Sequence, residues 1–233
     1  MALWAIIVFA VSMLIFWIPI WVTGLWKEPK RTIYVFYVFR LWMAFFFILT
    51  GVRRKIVGKQ NFKKGVAYIV VCNHNSYMDP PLSSPGIPGI NKTIAKEEMA
   101  KIPLFGMVYR RGSVLVNRKS EESRRKSYLK MKEVLEMGFH MCIYPEGTRN
   151  KTNAPVTKFH DGAFKLAVDT GKQIMPAVIF NTAKVLPTHK PFFFWPQKVE
   201  MHFLSPVSID NKSASDLKNE VYQVMESYYI SHQ

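Results

Sequence analysis

His74 and Asp79 are the two residues of this sequence whose types and spacing most directly suggest chemistry. They lie five positions apart, just after a short apolar run that ends at Cys72. At a strand end, a carboxylate so placed can accept a hydrogen bond from one imidazole nitrogen while the other nitrogen faces a substrate. The Asp79 carboxylate would fix the neutral imidazole tautomer that deprotonates an alcohol, and it would stabilise the imidazolium formed later. The alternative is a His74 that caps the following helix or binds a loop carbonyl.

A second polar segment, Tyr144–Arg149, follows another apolar run. Because ligands gather beyond the carboxyl ends of strands, both polar segments are expected at one edge of a sheet. Arg149 supplies a planar cation suited to a phosphate, Gly147 permits close backbone approach, and Thr148 can donate a hydrogen bond. Glu146 could hold the loop together or contact the substrate. The alternative is a structural turn with a surface Glu–Arg pair.

The elements that would position these residues alternate between short buried strands and helices. Apolar runs bounded by Gly, Pro, Asn or charge predict strands at Val66–Cys72, Val114–Val116, Met141–Tyr144 and Ile174–Phe180. Capping residues and terminal glycines predict helices from Ser120 to about Met137, from Phe159 to Thr170, and from Ser213 to about Tyr229. The predicted fold class is therefore α/β, with one mixed β-sheet flanked by helices.

The amino-terminal part of the chain is far more apolar than the rest. Ala2–Trp26 carries no charge and is long enough to span a bilayer, and it lacks the basic start and small-residue cleavage site of a signal peptide. A second apolar run, Thr32–Val52, is interrupted only by Arg40. The predicted organisation is a membrane-binding helical hairpin, residues 1–55, followed by an α/β catalytic domain, residues 56–233.

Basic residues flank the second apolar run at positions 27–31 and 53–55. If both runs crossed the membrane, these clusters would lie on opposite sides, whereas positive clusters prefer the cytoplasmic side. A cationic and aromatic stripe at helical spacing suits the headgroup layer, and it consists of Arg31, Tyr34, Tyr37 and Arg40. Two arrangements stay open: a hairpin that dips into one leaflet, or a spanning first helix with an interfacial second one. In both, the rest of the chain is expected in the cytoplasm.

The charge balance points to an anionic partner. The chain has 32 Lys and Arg against 16 Asp and Glu, a formal net charge of +16, which suits nucleic acid, anionic lipid, a phosphorylated substrate or an acidic protein. Nucleic acid is not expected, because the basic residues near 124–132 are mixed with glutamates and no nucleic-acid fold signature is present. Cys72 and Cys142 have no metal-ligand spacing, which favours a reducing compartment.

Four ordered segments resemble the sequence blocks of the glycerolipid acyltransferases. They are Asn73–Asp79, Gly112–Arg118, Tyr144–Arg149 and Ile174–Ala177, with companion segments at 94–106 and 158–167. The resemblance covers roughly residues 50–210 and extends to the bacterial members that acylate 1-acylglycerol 3-phosphate. It implies an O-acyltransferase of the inner membrane, with its catalytic domain on the cytoplasmic side, that acylates the sn-2 hydroxyl of lysophosphatidic acid and gives phosphatidic acid.

The resemblance also implies a role for each matched position. His74 would deprotonate the acceptor hydroxyl, Asp79 would orient His74, and the hydroxyl oxygen would attack the thioester directly. No metal or cofactor is expected beyond the acyl donor, which is acyl-ACP (acyl carrier protein) or acyl-CoA. The implied partners are lysophosphatidic acid, that donor, and anionic membrane lipids. The positions matched to substrate binding are Glu146, Gly147, Thr148, Arg149, Arg118 and Lys96.

Some interpretations remain open at this point. Tyr144 stands where the family commonly has phenylalanine, and Asn117 where it often has aspartate. Arg118 could instead be a solvated cation at a strand end. The acceptor could be another lysolipid, such as a lyso-amino-acid lipid or a remodelling substrate. Another alternative is a non-catalytic lipid-binding membrane tether, which would not require His74 and Asp79.

Overall fold

The computed structural model describes residues 1–152, 154–190 and 192–232. Its strands are β1 (Arg53–Val57), β2 (Ile69–Cys72), β3 (Asn91–Lys96), β4 (Ser113–Val116), β5 (His140–Ile143), β6 (Ile174–Phe180) and β7 (Lys198–Phe203). Its α-helices are α1 (Ala2–Val22), α2 (Lys30–Leu49), α3 (Asp79–Gly86), α4 (Phe105–Gly112), α5 (Glu121–Glu136), α6 (Gly162–Thr170), α7 (Thr182–Val185) and α8 (Ala214–Ser231).

The strands form one sheet in the order β1-β7-β6-β2-β5-β3-β4. Neighbouring strands run parallel except for the pair β6 and β7, so the sheet is mixed. The carboxyl ends of β2, β5, β3 and β4 therefore lie side by side along one edge. The predicted fold class, α/β with a mixed sheet flanked by helices, is confirmed.

Side chains alternate between the two faces of the sheet and complete two separate hydrophobic layers. On β2, Val70 and Cys72 face the layer that contains the amino-terminal helices, while Ile69 and Val71 face the layer that contains α5, α6 and α8. All four are fully buried, which explains why this strand reads as a continuous apolar run rather than an alternating one.

Helix ends occur where capping chemistry predicts them. Ser120 accepts from the backbone N–H of Ser123 at the start of α5, and Ser213 forms a reciprocal capping box with Asp216 at the start of α8. Gly171 ends α6 in the left-handed conformation, with φ of 66°. The α6 helix begins at Gly162, three residues after the predicted start, because residues 159–161 form the loop that leads into it.

The amino-terminal helices pack against each other and against the sheet on one side. The Trp42 indole donates to Ser12 Oγ at 2.9 Å, and the Trp4 indole donates to the Leu49 carbonyl at 2.9 Å, so α1 and α2 run antiparallel. Both helices are long and apolar enough to cross a membrane by length and composition. On the other side they expose Leu3, Ile7, Leu14, Ile18, Trp21, Tyr37, Leu41 and Ile48.

The connection between α1 and α2 is bound to the α/β layer by polar contacts. Glu28 accepts from Thr32 Oγ1 at 2.6 Å and from Lys92 Nζ on β3 at 3.3 Å. Arg111 at the end of α4 donates to the Trp21 carbonyl at 2.7 Å. The division predicted between residues 55 and 56 falls inside β1, whose five residues all pair with β7, so the sheet begins at Arg53.

His140 on β5 is buried with both ring nitrogens bonded inside the fold. Its Nδ1 accepts the Tyr68 backbone N–H at 3.0 Å, so its Nε2 carries the proton and donates to the Pro88 carbonyl at 2.9 Å. Burial lowers the pKa of this imidazole more than the Pro88 carbonyl raises it. These contacts indicate a structural role for His140.

We expect the free energy of unfolding to decrease as the pH falls below the ordinary histidine pKa of about 6.5. The unfolded chain binds a proton at His140 more readily than the folded chain, so stability is fully present above that pH and is lost below it. Chemical denaturation of the detergent-solubilised protein and of His140→Gln, compared between about pH 5 and pH 8, isolates this contribution from other histidines. Equal pH slopes in the two proteins would contradict the prediction.

Candidate active site

The side chains of His74 and Asp79 form a direct hydrogen-bonded pair beyond the end of β2. The His74 Nδ1 lies 2.7 Å from Asp79 Oδ2, and the same oxygen accepts the backbone N–H groups of Asn75 at 2.6 Å and Ser76 at 2.8 Å. Asp79 is fully buried at the first residue of α3, where a helix amino terminus favours negative charge. Since Asp79 accepts, Nδ1 carries the proton and the Nε2 lone pair is available as a base.

The loop after β5 fixes the backbone and the ring of His74. The His74 N–H donates to Glu146 Oε1 at 2.7 Å, and its carbonyl accepts from the Asn150 N–H at 2.6 Å. The Tyr144 ring stacks on the imidazole with centroids 4.3 Å apart, and its hydroxyl lies 2.7 Å from Ser83 Oγ on α3. The imidazole is therefore constrained from three directions, which limits the geometric freedom of the base.

Both carboxylate oxygens of Glu146 are used inside the fold. Oε1 accepts from the His74 backbone, while Oε2 accepts the Thr157 N–H at 3.0 Å and the Thr157 hydroxyl. Burial raises the pKa of Glu146 despite these hydrogen bonds. Of the two interpretations that the sequence left open, these contacts correspond to a residue that holds the loop together. Direct contact with a substrate stays a prediction for this side chain.

The Arg149 guanidinium lies next to the His74 loop and has a donor that no described residue pairs with. Its Nη1 is buried and has no hydrogen-bond partner among the described residues. Its Cζ lies 3.5 Å from the ring centroid of Tyr77, so the guanidinium plane is held against an aromatic face. A buried donor without an acceptor costs free energy, which an anionic ligand would recover. The position suits a phosphate.

Gly147 is required by the close packing of its loop. It has φ of +71°, and a Cβ there would lie 2.9 Å from His160 Cδ2 and 3.0 Å from Arg118 Nη1. Arg118 donates to the Gly147 carbonyl, so the structure brings this predicted residue from the end of β4 to the loop after β5. Thr148 is exposed on that loop, and Lys96 is exposed at the end of β3. Neither side chain forms a hydrogen bond with the described residues.

An apolar cavity of about 410 Å³ lies beside the His74–Asp79 pair. Its walls come from the two amino-terminal helices, from α3 and from α4, and they include Ala5, Phe9, Val35, Phe36, Phe105 and Val108. Tyr77, Met78 and Pro80, which flank Asp79, also line it. The volume falls within the usual range of sites for small organic ligands. The cavity can therefore hold an apolar chain whose reactive end approaches His74.

Several residues of this site were not identified from the sequence. Tyr77 lies within the His74 segment, yet its type alone gives no sign that it holds Arg149. Asn150 contacts the His74 carbonyl through its backbone N–H, and Ser83 contacts the Tyr144 hydroxyl through its own hydroxyl. Both contacts depend on which elements meet in space. Burial raises the pKa of the neighbouring Cys72, which keeps this thiol protonated and poorly nucleophilic.

Known acyltransferases are similar to this chain in sequence and in fold. A family model described as "Acyltransferase" matches residues 53–180. A 1-acyl-sn-glycerol-3-phosphate acyltransferase of Borreliella burgdorferi is 31% identical over 143 residues, which are 61% of this chain and only about half (54%) of that relative. One of Helicobacter pylori is 29% identical over 188 residues, covering 80% of this chain and 77% of the relative.

The crystal structure of the 1-acyl-sn-glycerophosphate acyltransferase PlsC from Thermotoga maritima has the same overall fold. It superposes with a TM-score of 0.83 at 25% identity, over 99% of this chain and 93% of that one. The family match spans the strands that carry His74 and Arg149 and covers more than half of the sequence. This chain therefore belongs to the acyltransferase family.

Proposed function

We propose that this chain is a membrane-bound 1-acylglycerol-3-phosphate O-acyltransferase. It transfers a fatty acyl group from acyl-ACP or acyl-CoA to the sn-2 hydroxyl of lysophosphatidic acid and gives phosphatidic acid. The observation that carries this proposal is the meeting of three features around one histidine: the Asp79 contact, the unpaired Arg149 donor and the apolar cavity. The relatives named above act on the same acceptor by their names.

The proposed reaction is a single acyl transfer through a tetrahedral intermediate. His74 Nε2 accepts the proton of the acceptor hydroxyl while its oxygen forms a bond to the thioester carbonyl carbon. The carbon–sulfur bond then breaks, and the leaving thiolate takes the proton from the imidazolium, so the thiol and the neutral histidine are restored. Asp79 stabilises the imidazolium in the interval. Atoms and charge balance without an acyl-enzyme.

Each substrate part has a matching surface. The fatty acyl chain of the donor occupies the apolar cavity, where each buried methylene contributes about 0.8 kcal/mol. The acceptor phosphate binds Arg149, with Arg118, Thr148 and Lys96 further along the same sheet edge. Because Arg149 follows β5, Arg118 follows β4 and Lys96 ends β3, the acceptor lies over the carboxyl ends of these strands.

The hairpin of α1 and α2 is proposed to lie in one leaflet of the inner membrane, with the α/β layer on the cytoplasmic side. One face of the hairpin packs against the sheet layer while the opposite face exposes apolar side chains, which suits a helix pair embedded along the interface. This placement brings the acceptor lipid and the cavity to the same depth. Labelling of single cysteines introduced near residues 2 and 29 tests it, since opposite-side labelling would exclude it.

An assay of the purified full chain in phospholipid nanodiscs tests the proposed reaction. Lysophosphatidic acid is offered with acyl-ACP and acyl-CoA in parallel, against lysophosphatidylcholine and a lyso-amino-acid lipid as competing acceptors. We expect phosphatidic acid as the main product. Equal or faster acylation of an acceptor without a phosphomonoester would contradict the proposed acceptor, and no transfer to any acceptor would contradict the enzyme.

Gly112 offers a way to test the position of the acyl chain. It lines the cavity at the end of α4, and a Cβ there would lie 3.7 Å from Val35 Cγ1, an ordinary contact. Gly112→Leu should therefore fold and shorten the space for the chain. We expect kcat/KM for the longest accepted donor to decrease roughly tenfold, as for loss of about two buried methylenes, while short donors are unaffected.

Gly112→Ala is the matched control, because it changes the backbone freedom equally but adds a single methyl group. Steady-state rates with a series of acyl donors of increasing length make the comparison. An equal loss at all chain lengths in Gly112→Leu would show damage to the fold or the catalytic pair instead of a shorter cavity.

A further inference from the structure

A second cavity, of about 290 Å³, lies beside α3. We call it the basic pocket; its lining residues are Arg40, Ala44, Arg54, Ile56, Lys59, Leu82, Pro85 and Gly86. The apolar cavity uses other residues of α3, namely Met78, Pro80, Pro81 and Ser84 in and next to that helix. The two cavities share no lining residue, so the basic pocket is a separate site.

The basic pocket collects positive charge, and its lining contains no acidic residue. Three of its lining residues, Arg40, Arg54 and Lys59, are cationic and none is acidic. In the described part of the chain, none of these three side chains forms an ion pair or a hydrogen bond; Arg54 only lies over the Phe47 ring, with Cζ 4.9 Å from its centroid. Burial and the charge of Arg40 both lower the pKa of Arg54. The arginines repel each other, which an anion would relieve.

The basic pocket is far from the proposed acceptor site in the topology of the sheet. Arg54 belongs to β1, the edge strand, whereas Arg149 follows β5 and Arg118 follows β4 near the opposite edge. Between β1 and β5 stand β7, β6 and β2. A single acceptor phosphate therefore cannot account for both groups of cations.

The basic pocket adjoins the lipid-facing side of the hairpin. Tyr37, Leu41 and Ile48 on α2 are exposed along one helical face. Arg40 is also exposed and precedes Leu41, while Ala44 is one turn further along the same helix. The cationic groups thus lie where an apolar surface meets a polar one, which is the depth of phospholipid headgroups when this surface is in the membrane.

We propose that the basic pocket binds the phosphomonoester headgroup of a membrane phospholipid. A phosphomonoester carries a charge of about −1.5 to −2 at neutral pH and has three acceptor oxygens, which suit two guanidinium groups and an ammonium group better than a phosphodiester does. The acyl chains of this lipid lie along the exposed face of α2. The bound headgroup fixes the depth and tilt of the protein in the leaflet. The site does not depend on the proposed reaction.

Native mass spectrometry of the full chain released from detergent micelles tests this site. The Arg149→Gln background removes the proposed acceptor contact, and no acyl donor is added, so catalysis does not enter. Phosphatidate, phosphatidylserine and inorganic phosphate are titrated separately. The test variant is Arg40→Gln with Arg54→Gln, and the matched control is Lys63→Gln with Lys64→Gln, which removes equal charge from two exposed residues outside the pocket.

We expect one retained phosphatidate, bound more tightly than phosphatidylserine, and at least a tenfold weaker affinity in the test variant with no change in the control. Unchanged phosphatidate affinity in the test variant would overturn the site. An equal loss of phosphatidate affinity in the control would show nonspecific charge attraction instead of a specific site. Displacement of phosphatidate by inorganic phosphate at equal concentration would overturn the lipid assignment in favour of a free phosphate. Thermal unfolding of both variants verifies that they fold.

Discussion

His74→Ala is expected to lower kcat for acyl transfer by roughly 10³-fold, within the range of about 10²–10⁴ that a general base contributes. The proposed base is its Nε2, which the Asp79 contact leaves free. KM for both substrates should change little, because the cavity and Arg149 remain. Steady-state kinetics of the reconstituted protein measure both parameters.

Asp79→Asn is the companion variant, since it preserves size and an oxygen that can still accept from the Asn75 and Ser76 N–H groups. Its amide cannot stabilise the imidazolium and can favour the other tautomer, so a large loss of kcat is expected there too. The double variant should be little worse than His74→Ala alone, because the two residues act as one unit. Full activity in His74→Ala with retained folding would overturn the mechanism.

Arg149→Gln is expected to reduce kcat/KM for lysophosphatidic acid by roughly 10²–10³-fold. Two charge-assisted hydrogen bonds to a phosphate contribute about 3–4 kcal/mol together. Because the buried Nη1 has no partner among the described residues, the substitution breaks no hydrogen bond of that atom within the described fold. Arg149→Lys keeps the charge but not the planar fork or its contact with Tyr77, so it should recover only part of the activity.

An acceptor without a phosphate provides the internal control for this variant. Monoacylglycerol offers the same hydroxyl but no anion, so the slow rate of the unmodified protein and that of Arg149→Gln should be equal with it. If Arg149→Gln slowed both acceptors to the same degree, its role would be to support the His74 loop instead of binding phosphate. Both assays use the same acyl donor.

Sequence patterns predicted the strands whose residues are almost all apolar and missed the strands whose residues are of mixed type. β2 and β6 were found because both faces are buried and the residues are almost all apolar. β1, β3 and β7 were not predicted, because their sequences mix charged and apolar residues. Arg53 and Lys55, for example, are exposed on an edge strand, and Lys92 on β3 is buried through its contact with Glu28, which lies 64 positions earlier.

For the site, the sequence identified residues whose chemistry is unusual and missed those whose importance depends on contact. His74, Asp79 and Arg149 stand out by type, spacing and family resemblance. The stacking of Tyr144 on His74 and of Arg149 on Tyr77 requires two loops to meet across neighbouring strands. No local pattern contains that information, because the participants are separated by about 70 positions. Lys96 stays a prediction based on resemblance.

The shared packing of the hairpin and the sheet has a consequence for how the chain is made. Ile20, Trp42 and Phe47 are in the same buried cluster as Val70 and Met175, so the hydrophobic layer on that side of the sheet is incomplete until both halves are present. The hairpin is synthesised before β2, so it leaves the ribosome before the strands that it packs against. With the hairpin in the membrane as proposed, the bilayer solvates the sheet-facing side of these helices until the sheet layer packs against it. A version trimmed for solubility would lack the helical wall of that hydrophobic layer.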